Sequence, residues 1–212
     1  MTSELTIDPT AVLWSAPERD RAGRPLIVLL HGYGSHEGDL FGLSPRLPLG
    51  PVVASVRAPL EESGGYAWFT RVNSIPGDPP QERVDAAASA VTTWLDAQQF
   101  SSVALLGFSQ GAAVALQLLR QTPTRFAAAV ALSGFVASGP NAGDEELARV
   151  RPPVFYGRGT ADPIIPADAV NRTDAWLADH AMATTNIYED LAHSISADEL
   201  THVSSFLAGA LR

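Results

Sequence analysis

Val103-Ala104-Leu105-Leu106-Gly107-Phe108-Ser109-Gln110-Gly111-Ala112-Ala113-Val114-Ala115-Leu116-Gln117-Leu118-Leu119 reads as a buried strand running directly into a helix. The apolar run before Gly107 suits a parallel strand covered on both faces, and the Ala/Leu-rich run after Gly111 suits a packed helix. Between them lies Gly107-x-Ser109-x-Gly111, the spacing of a sharp strand-to-helix turn. Such a turn forces its central residue into a strained conformation and lifts that side chain clear of the sheet. A side chain two positions before or after would strike the neighbouring strand or helix, so both positions are Gly. Ser109 then sits at a helix N-terminus, where backbone N–H groups and the positive dipole end favour developing negative charge. That makes Ser109 a candidate nucleophile. A merely structural glycine turn, as in nucleotide-binding folds, is the competing reading.

Outward from this stretch, short apolar runs alternate with helical patterns. Residues 10–15 read as an edge strand. Residues 26–30, 52–56, 126–134, 154–157 and 184–188 read as strands. Residues 81–95 and 167–181 read as helices, and Ser196-Ala197-Asp198-Glu199 as a capping box opening the last helix. This alternation predicts an α/β fold with a mostly parallel central sheet and helices on both faces. The 212 residues, 46% of them hydrophobic, form one expected domain without a linker or repeat. Residues 58–80, rich in Gly and Pro, are expected to be a substrate-site loop or partial lid. Within it Trp68 and Phe69 either line an apolar pocket or pin the loop to the core.

Composition removes several classes of function. A formal net charge of -9 argues against a nucleic-acid partner and against anionic membrane surfaces. No apolar run approaches a membrane span, and the first residues lack a leader pattern, so a cytoplasmic location is expected. The chain has no cysteine, which excludes disulfides and thiolate chemistry. All 14 basic residues are Arg, which excludes Schiff-base chemistry and a Ser–Lys dyad.

The loop His31-Gly32-Tyr33-Gly34-Ser35-His36-Glu37-Gly38-Asp39 leaves the carboxyl end of a strand, where open α/β sheets place their sites. It supports an oxyanion loop presenting the Tyr33 N–H. It also resembles a stretched dinucleotide fingerprint, with Arg57 positioned for a 2′-phosphate. His31, His36, Glu37 and Asp39 match no metal-ligand spacing, so no metal is expected.

A serine needs a base, and the base an orienting acid. In this fold class the order is Ser, acid, His. Of His180, His193 and His202, only His193 falls in a loop at the sheet's carboxyl edge, between the last strand and last helix. Among Asp162, Asp168 and Asp190, Asp162 follows a strand directly within a Gly-rich turn. Gln110, next to the nucleophile, supplies a second N–H.

Leu30-His31-Gly32-Tyr33-Gly34, Tyr66-Ala67-Trp68-Phe69, Gly107-Phe108-Ser109-Gln110-Gly111, Gly159-Thr160-Ala161-Asp162-Pro163-Ile164-Ile165-Pro166 and Ala192-His193-Ser194-Ile195 together resemble the phospholipase/carboxylesterase family of α/β-hydrolases, which includes bacterial carboxylesterases and acyl-protein thioesterases. The resemblance implies the α/β-hydrolase fold and a Ser109–Asp162–His193 triad. It also implies Tyr33 and Gln110 as oxyanion donors and a Trp68-containing loop near the acyl site. Ala192 departs from the Gly the family usually carries before the histidine, which bears on where His193 is placed. The expected function is a cofactor-independent serine carboxylesterase acting on small-molecule short- to medium-chain esters, as a monomer or homodimer. Trp68, Phe69, Ile75 and Ile164 are its expected substrate-binding residues, with Phe135 and Ile165 in the same apolar set. The alternatives are an acyl-thioesterase or lysophospholipase, an NADP-dependent oxidoreductase, and a catalytically silent ligand-binding module.

Overall fold

In the computed structural model, which describes residues 4–211, seven strands form one sheet in the order β1-β3-β2-β6-β7-β8-β9. These are β1 (Val12–Trp14), β2 (Leu26–Leu30), β3 (Val52–Val56), β6 (Val103–Phe108), β7 (Ala128–Leu132), β8 (Pro153–Gly159) and β9 (Met182–Tyr188). Only β1 runs antiparallel, against β3; the other five pairings are parallel. The remaining strands, β4 (Leu60–Glu62) and β5 (Gly65–Ala67), make a separate hairpin. The helices are α1 (Glu37–Phe41), α2 (Gln81–Asp96), α3 (Gln110–Gln121), α4 (Asp144–Val150), α5 (Ala167–His180) and α6 (Ala197–Ala210). Among the described residues no helix is long and apolar enough to cross a membrane.

The continuous apolar runs of the central strands follow from burial on both faces. Leu26, Val28 and Leu30 of β2 join one core with Val91 of α2 and Leu116 of α3. Ile27 and Leu29, pointing the other way, join a second core with Leu200, Val203 and Leu207 of α6. Alternation along a strand thus feeds two cores rather than one core and solvent. Helix α3 lies between the sheet and α2, and every residue from Gln110 to Arg120 is buried. Its one buried charge is satisfied throughout. The Arg120 guanidinium donates to Asp144, to the Ala137 and Gly139 carbonyls and to Gln117, tying α3 to the segment that follows β7.

Two segments differ from their sequence patterns. Residues 58–80 are not wholly irregular, because β4 and β5 close a hairpin across Gly64 (φ 79°), after Ser63 (φ 60°). The region after β7 contains α4, whose seven residues are too few to show a helical period.

The capping box of α6 is half formed. The Ser196 hydroxyl accepts from the Glu199 N–H (3.0 Å), but the Glu199 carboxylate turns into the core against Gly157. It is fully buried and neither oxygen has a hydrogen-bond partner. Burial pushes its carboxyl up to about 7. A carboxyl whose folded value is raised stabilises the fold below its unfolded value of 4.5 and loses that contribution as pH rises through 7. The loss is on the order of 3 kcal/mol. Urea titrations at pH 4.5 and pH 8 should therefore show a fall in wild-type stability that Glu199→Met lacks. Parallel pH profiles for the two proteins would clear Glu199 of this role.

Candidate active site

The turn at Ser109 is sterically enforced. Ser109 adopts φ 54° and ψ −116°, a conformation that costs on the order of 1–3 kcal/mol. It is held because the Ser109 N–H donates to Leu132 (2.9 Å) while its carbonyl accepts from Ala112 (3.0 Å) and Ala113 (3.2 Å). A Cβ at Gly107 would run into the Gly111 carbonyl. One at Gly111 would run into the Leu30 carbonyl of the adjacent strand. The hydroxyl therefore stands at the carboxyl edge of the central strand, at the N-terminus of α3.

Two loops bring its partners. After β8, Asp162 folds back on its own turn, and Oδ1 accepts from the Ile164 (2.8 Å) and Ile165 (3.3 Å) N–H groups. Its other oxygen, Oδ2, accepts from His193 Nδ1 at 2.7 Å. His193 follows β9, and its Nε2 accepts from the Ser109 hydroxyl at 2.9 Å. The two loops are stitched together, since Ala161 N–H donates to Leu191 (3.1 Å) and Asp190 N–H to the Thr160 hydroxyl (2.9 Å). The His193 ring also packs on Phe108, 4.9 Å between centroids. Side-chain exposures of 18% for His193 and 7% for Asp162 keep the pair out of bulk solvent, so their interaction is weakly screened. Ala192 accommodates this without strain. The left-handed conformation in the loop falls on Asp190 (φ 56°), and Ala192 is outside it.

Tyr33 and Gln110 border the same cleft as Ser109. Among the described residues neither backbone N–H has a hydrogen-bond partner. The Tyr33 hydroxyl donates to Glu62 (2.8 Å) and its ring lies under the Arg71 guanidinium, which leaves its backbone N–H without a competing partner. The cleft, about 60 Å³, is walled by Phe69, Ile75, Phe135, Ile164 and Ile165, with Arg71 and Ser74 among its polar residues. A hydroxyl, an imidazole and a carboxylate in series, beside free N–H groups and an apolar cleft, are equipped for acyl transfer.

A model of the phospholipase/carboxylesterase family matches residues 16–211. The chain belongs to that family. It is 30% identical over 193 residues to esterase YpfH of Escherichia coli, covering 83% of this chain and 78% of that protein. It is 29% identical over 216 residues to acyl-protein thioesterase 1 of Kluyveromyces lactis, covering 88% and 92%. Among solved structures, esterase PE8 superposes with a TM-score of 0.77 at 26% identity, covering 98% of this chain and all of that one (100%). The carboxylesterase of Bacillus cereus superposes at 0.76 and 23% identity, covering 94% and 93%. The fold of this chain is thus the α/β-hydrolase fold, and the chain is a hydrolase of the esterase class.

Among the expected substrate residues of this hydrolase, Phe69, Ile75 and Ile164 border the cleft, and Trp68 does not. Trp68 is fully buried in the core and its indole N–H donates to the His31 carbonyl (2.8 Å). It pins the loop, because a ring of that size with one donor is best satisfied where both apolar faces and the N–H are enclosed. The Gln110 side chain has a structural role that its neighbourhood in sequence does not announce: its Oε1 accepts from Trp68 N–H (2.8 Å) and its Nε2 donates to the Phe69 carbonyl (2.6 Å), clamping the cleft wall to the Ser109 turn. No local pattern signals that clamp, since its partners lie more than 40 residues away in sequence.

The dinucleotide reading has lost its cation. Arg57 donates to both Glu37 carboxylate oxygens and stacks over Tyr66. That pairing also holds Glu37 below the usual carboxylate range. The other residues once grouped with Glu37 as a ligand set are likewise committed. His36 caps α1 by accepting from Gly38 N–H (3.1 Å), Asp39 accepts from Ser35 (2.7 Å), and His31 is internal.

Proposed function

We propose that this phospholipase/carboxylesterase hydrolyses short- to medium-chain carboxylic esters through an acyl-enzyme on Ser109. The observation that carries the reading is the unbroken series Ser109–His193–Asp162, 2.9 and 2.7 Å, opening on a small apolar cleft. His193 Nε2 takes the Ser109 proton as Oγ attacks the ester carbonyl. Asp162 holds the Nδ1–H tautomer and stabilises the imidazolium that forms. The Tyr33 and Gln110 N–H groups receive the oxyanion, each such donor being worth ~10²–10³ in rate. His193 then returns the proton to the departing alkoxide, and water, activated by the same imidazole, releases the acid. The acyl group lies against Phe69, Ile75 and Ile164, whose apolar surfaces suit a hydrocarbon.

The second reading, an acyl-thioesterase on the same three residues, is favoured by the likeness to acyl-protein thioesterase 1. The small cleft favours the first. A series of p-nitrophenyl esters from acetate to palmitate, run beside matching acyl-thioesters, separates them. The carboxylesterase reading expects kcat/KM to peak at butyrate or hexanoate. A steady rise to palmitate, with thioesters preferred, would transfer the assignment.

A further inference from the structure

We infer that His31 is a positioning residue for the oxyanion site, with its ring N–H holding the peptide group that presents the Tyr33 N–H. This rests on the proposed role of that N–H. His31 follows directly on the last residue of β2 and is fully buried. Its Nε2 faces the Ala58 N–H at 3.1 Å, and its Nδ1 faces the Gly32 carbonyl at 2.8 Å. An amide N–H can only donate, so Nε2 must carry the lone pair. The proton of the neutral ring is therefore on Nδ1, and it is given to Gly32. Burial holds the imidazole below its ordinary range, which keeps the ring in that neutral form.

The carbonyl of Gly32 and the N–H of Tyr33 are two ends of one planar peptide group. Fixing the first fixes the direction of the second. The anchor matters here because Tyr33 is flanked by glycines, with Gly34 at φ 72°, and the other bond to the Gly32 carbonyl, from the Ser35 N–H, is longer at 3.3 Å, while the Gly34 N–H is held by the Tyr66 carbonyl (2.9 Å). Donation to the carbonyl also polarises the peptide and strengthens its N–H as a donor.

The ring itself is braced. It packs against Trp68, 5.6 Å between centroids, and the Trp68 indole N–H bonds the His31 carbonyl. Trp68 is in turn held through its backbone by Gln110, the residue carrying the other oxyanion donor. One buried network thus sets both donors relative to each other.

The test compares His31→Leu with His31→Asn, whose side-chain amide can still reach the Gly32 carbonyl. His31→Leu should lower kcat on p-nitrophenyl butyrate about 10–100-fold with KM nearly unchanged. It should weaken an aryl trifluoromethyl ketone, which forms a tetrahedral oxyanion on serine, by the same factor. His31→Asn should recover most of both. A folded Leu variant with wild-type kcat and ketone affinity overturns the inference, whereas failure of the wild-type enzyme to bind the ketone overturns the underlying site reading as well. Should the Leu variant not fold, ¹⁵N NMR of the wild-type imidazole decides. A proton on Nδ1 supports the role and a proton on Nε2 excludes it.

Discussion

Ser109→Ala should reduce kcat/KM for p-nitrophenyl butyrate by roughly 10⁵–10⁶-fold and abolish labelling by a fluorophosphonate. The size of the effect follows from the chemistry, because no acyl-enzyme forms without the Oγ atom. No thiol or amine can take its place, since the chain has no cysteine and no lysine. The fold should be little changed. Alanine meets the same backbone cost at φ 54° as serine, and the hydroxyl's bond is the one to His193. A melting temperature within a few degrees of wild type would show that activity, not stability, was removed. What remains should be the modest acceleration that oriented N–H groups and binding supply by themselves. Undiminished turnover in this variant would end the acyl-enzyme reading.

The second large effect is expected at Asp162→Asn, near 10⁴-fold in kcat. The structure supplies the reason. The Ile164 and Ile165 N–H groups both point at Oδ1 and require an acceptor there. In the variant they would fix the amide with its oxygen towards them and its NH₂ towards His193. Nδ1 of His193, now facing a donor, must carry the lone pair, so its proton moves to Nε2 and faces Ser109. The base then has no lone pair where the hydroxyl needs one. Fluorophosphonate labelling should slow in step with turnover, because both need the serine proton removed. A loss smaller than tenfold in both measurements would mean that Asp162 does not set the His193 tautomer.

These two residues were legible from the chain because their constraints are local. Gly107 and Gly111 flank Ser109 at a fixed distance because a Cβ at either position meets backbone, and that exclusion is written into five consecutive residues. Asp162 sits in a turn that bonds its own following N–H groups. His193 was separable from His180 and His202 by its place between a strand and a helix. The departure at Ala192, which bears on where His193 is placed, could not be weighed from the chain alone. The left-handed residue in that loop is Asp190, an allocation that depends on how Thr160 and Leu191 hold the loop.

The sequence by itself determined the alternation of strands and helices, the strained serine and the order of the three side chains proposed to react. Each of these depends on period, sterics or succession along the backbone, which act between near neighbours. Only the tertiary structure decided that Trp68 is wholly interior while Phe69, packed in the same core, also reaches the cleft. The same is true of the Gln110 side chain clamping the cleft wall, of Arg57 pairing with Glu37, and of the His31 ring facing Gly32 and Ala58. Adjacent aromatic residues are alike in composition, and what separates them is which distant atoms enclose each ring. A hydrogen bond spanning some 40 residues, like that from Gln110 to Phe69, exists only once folding has brought its two ends together.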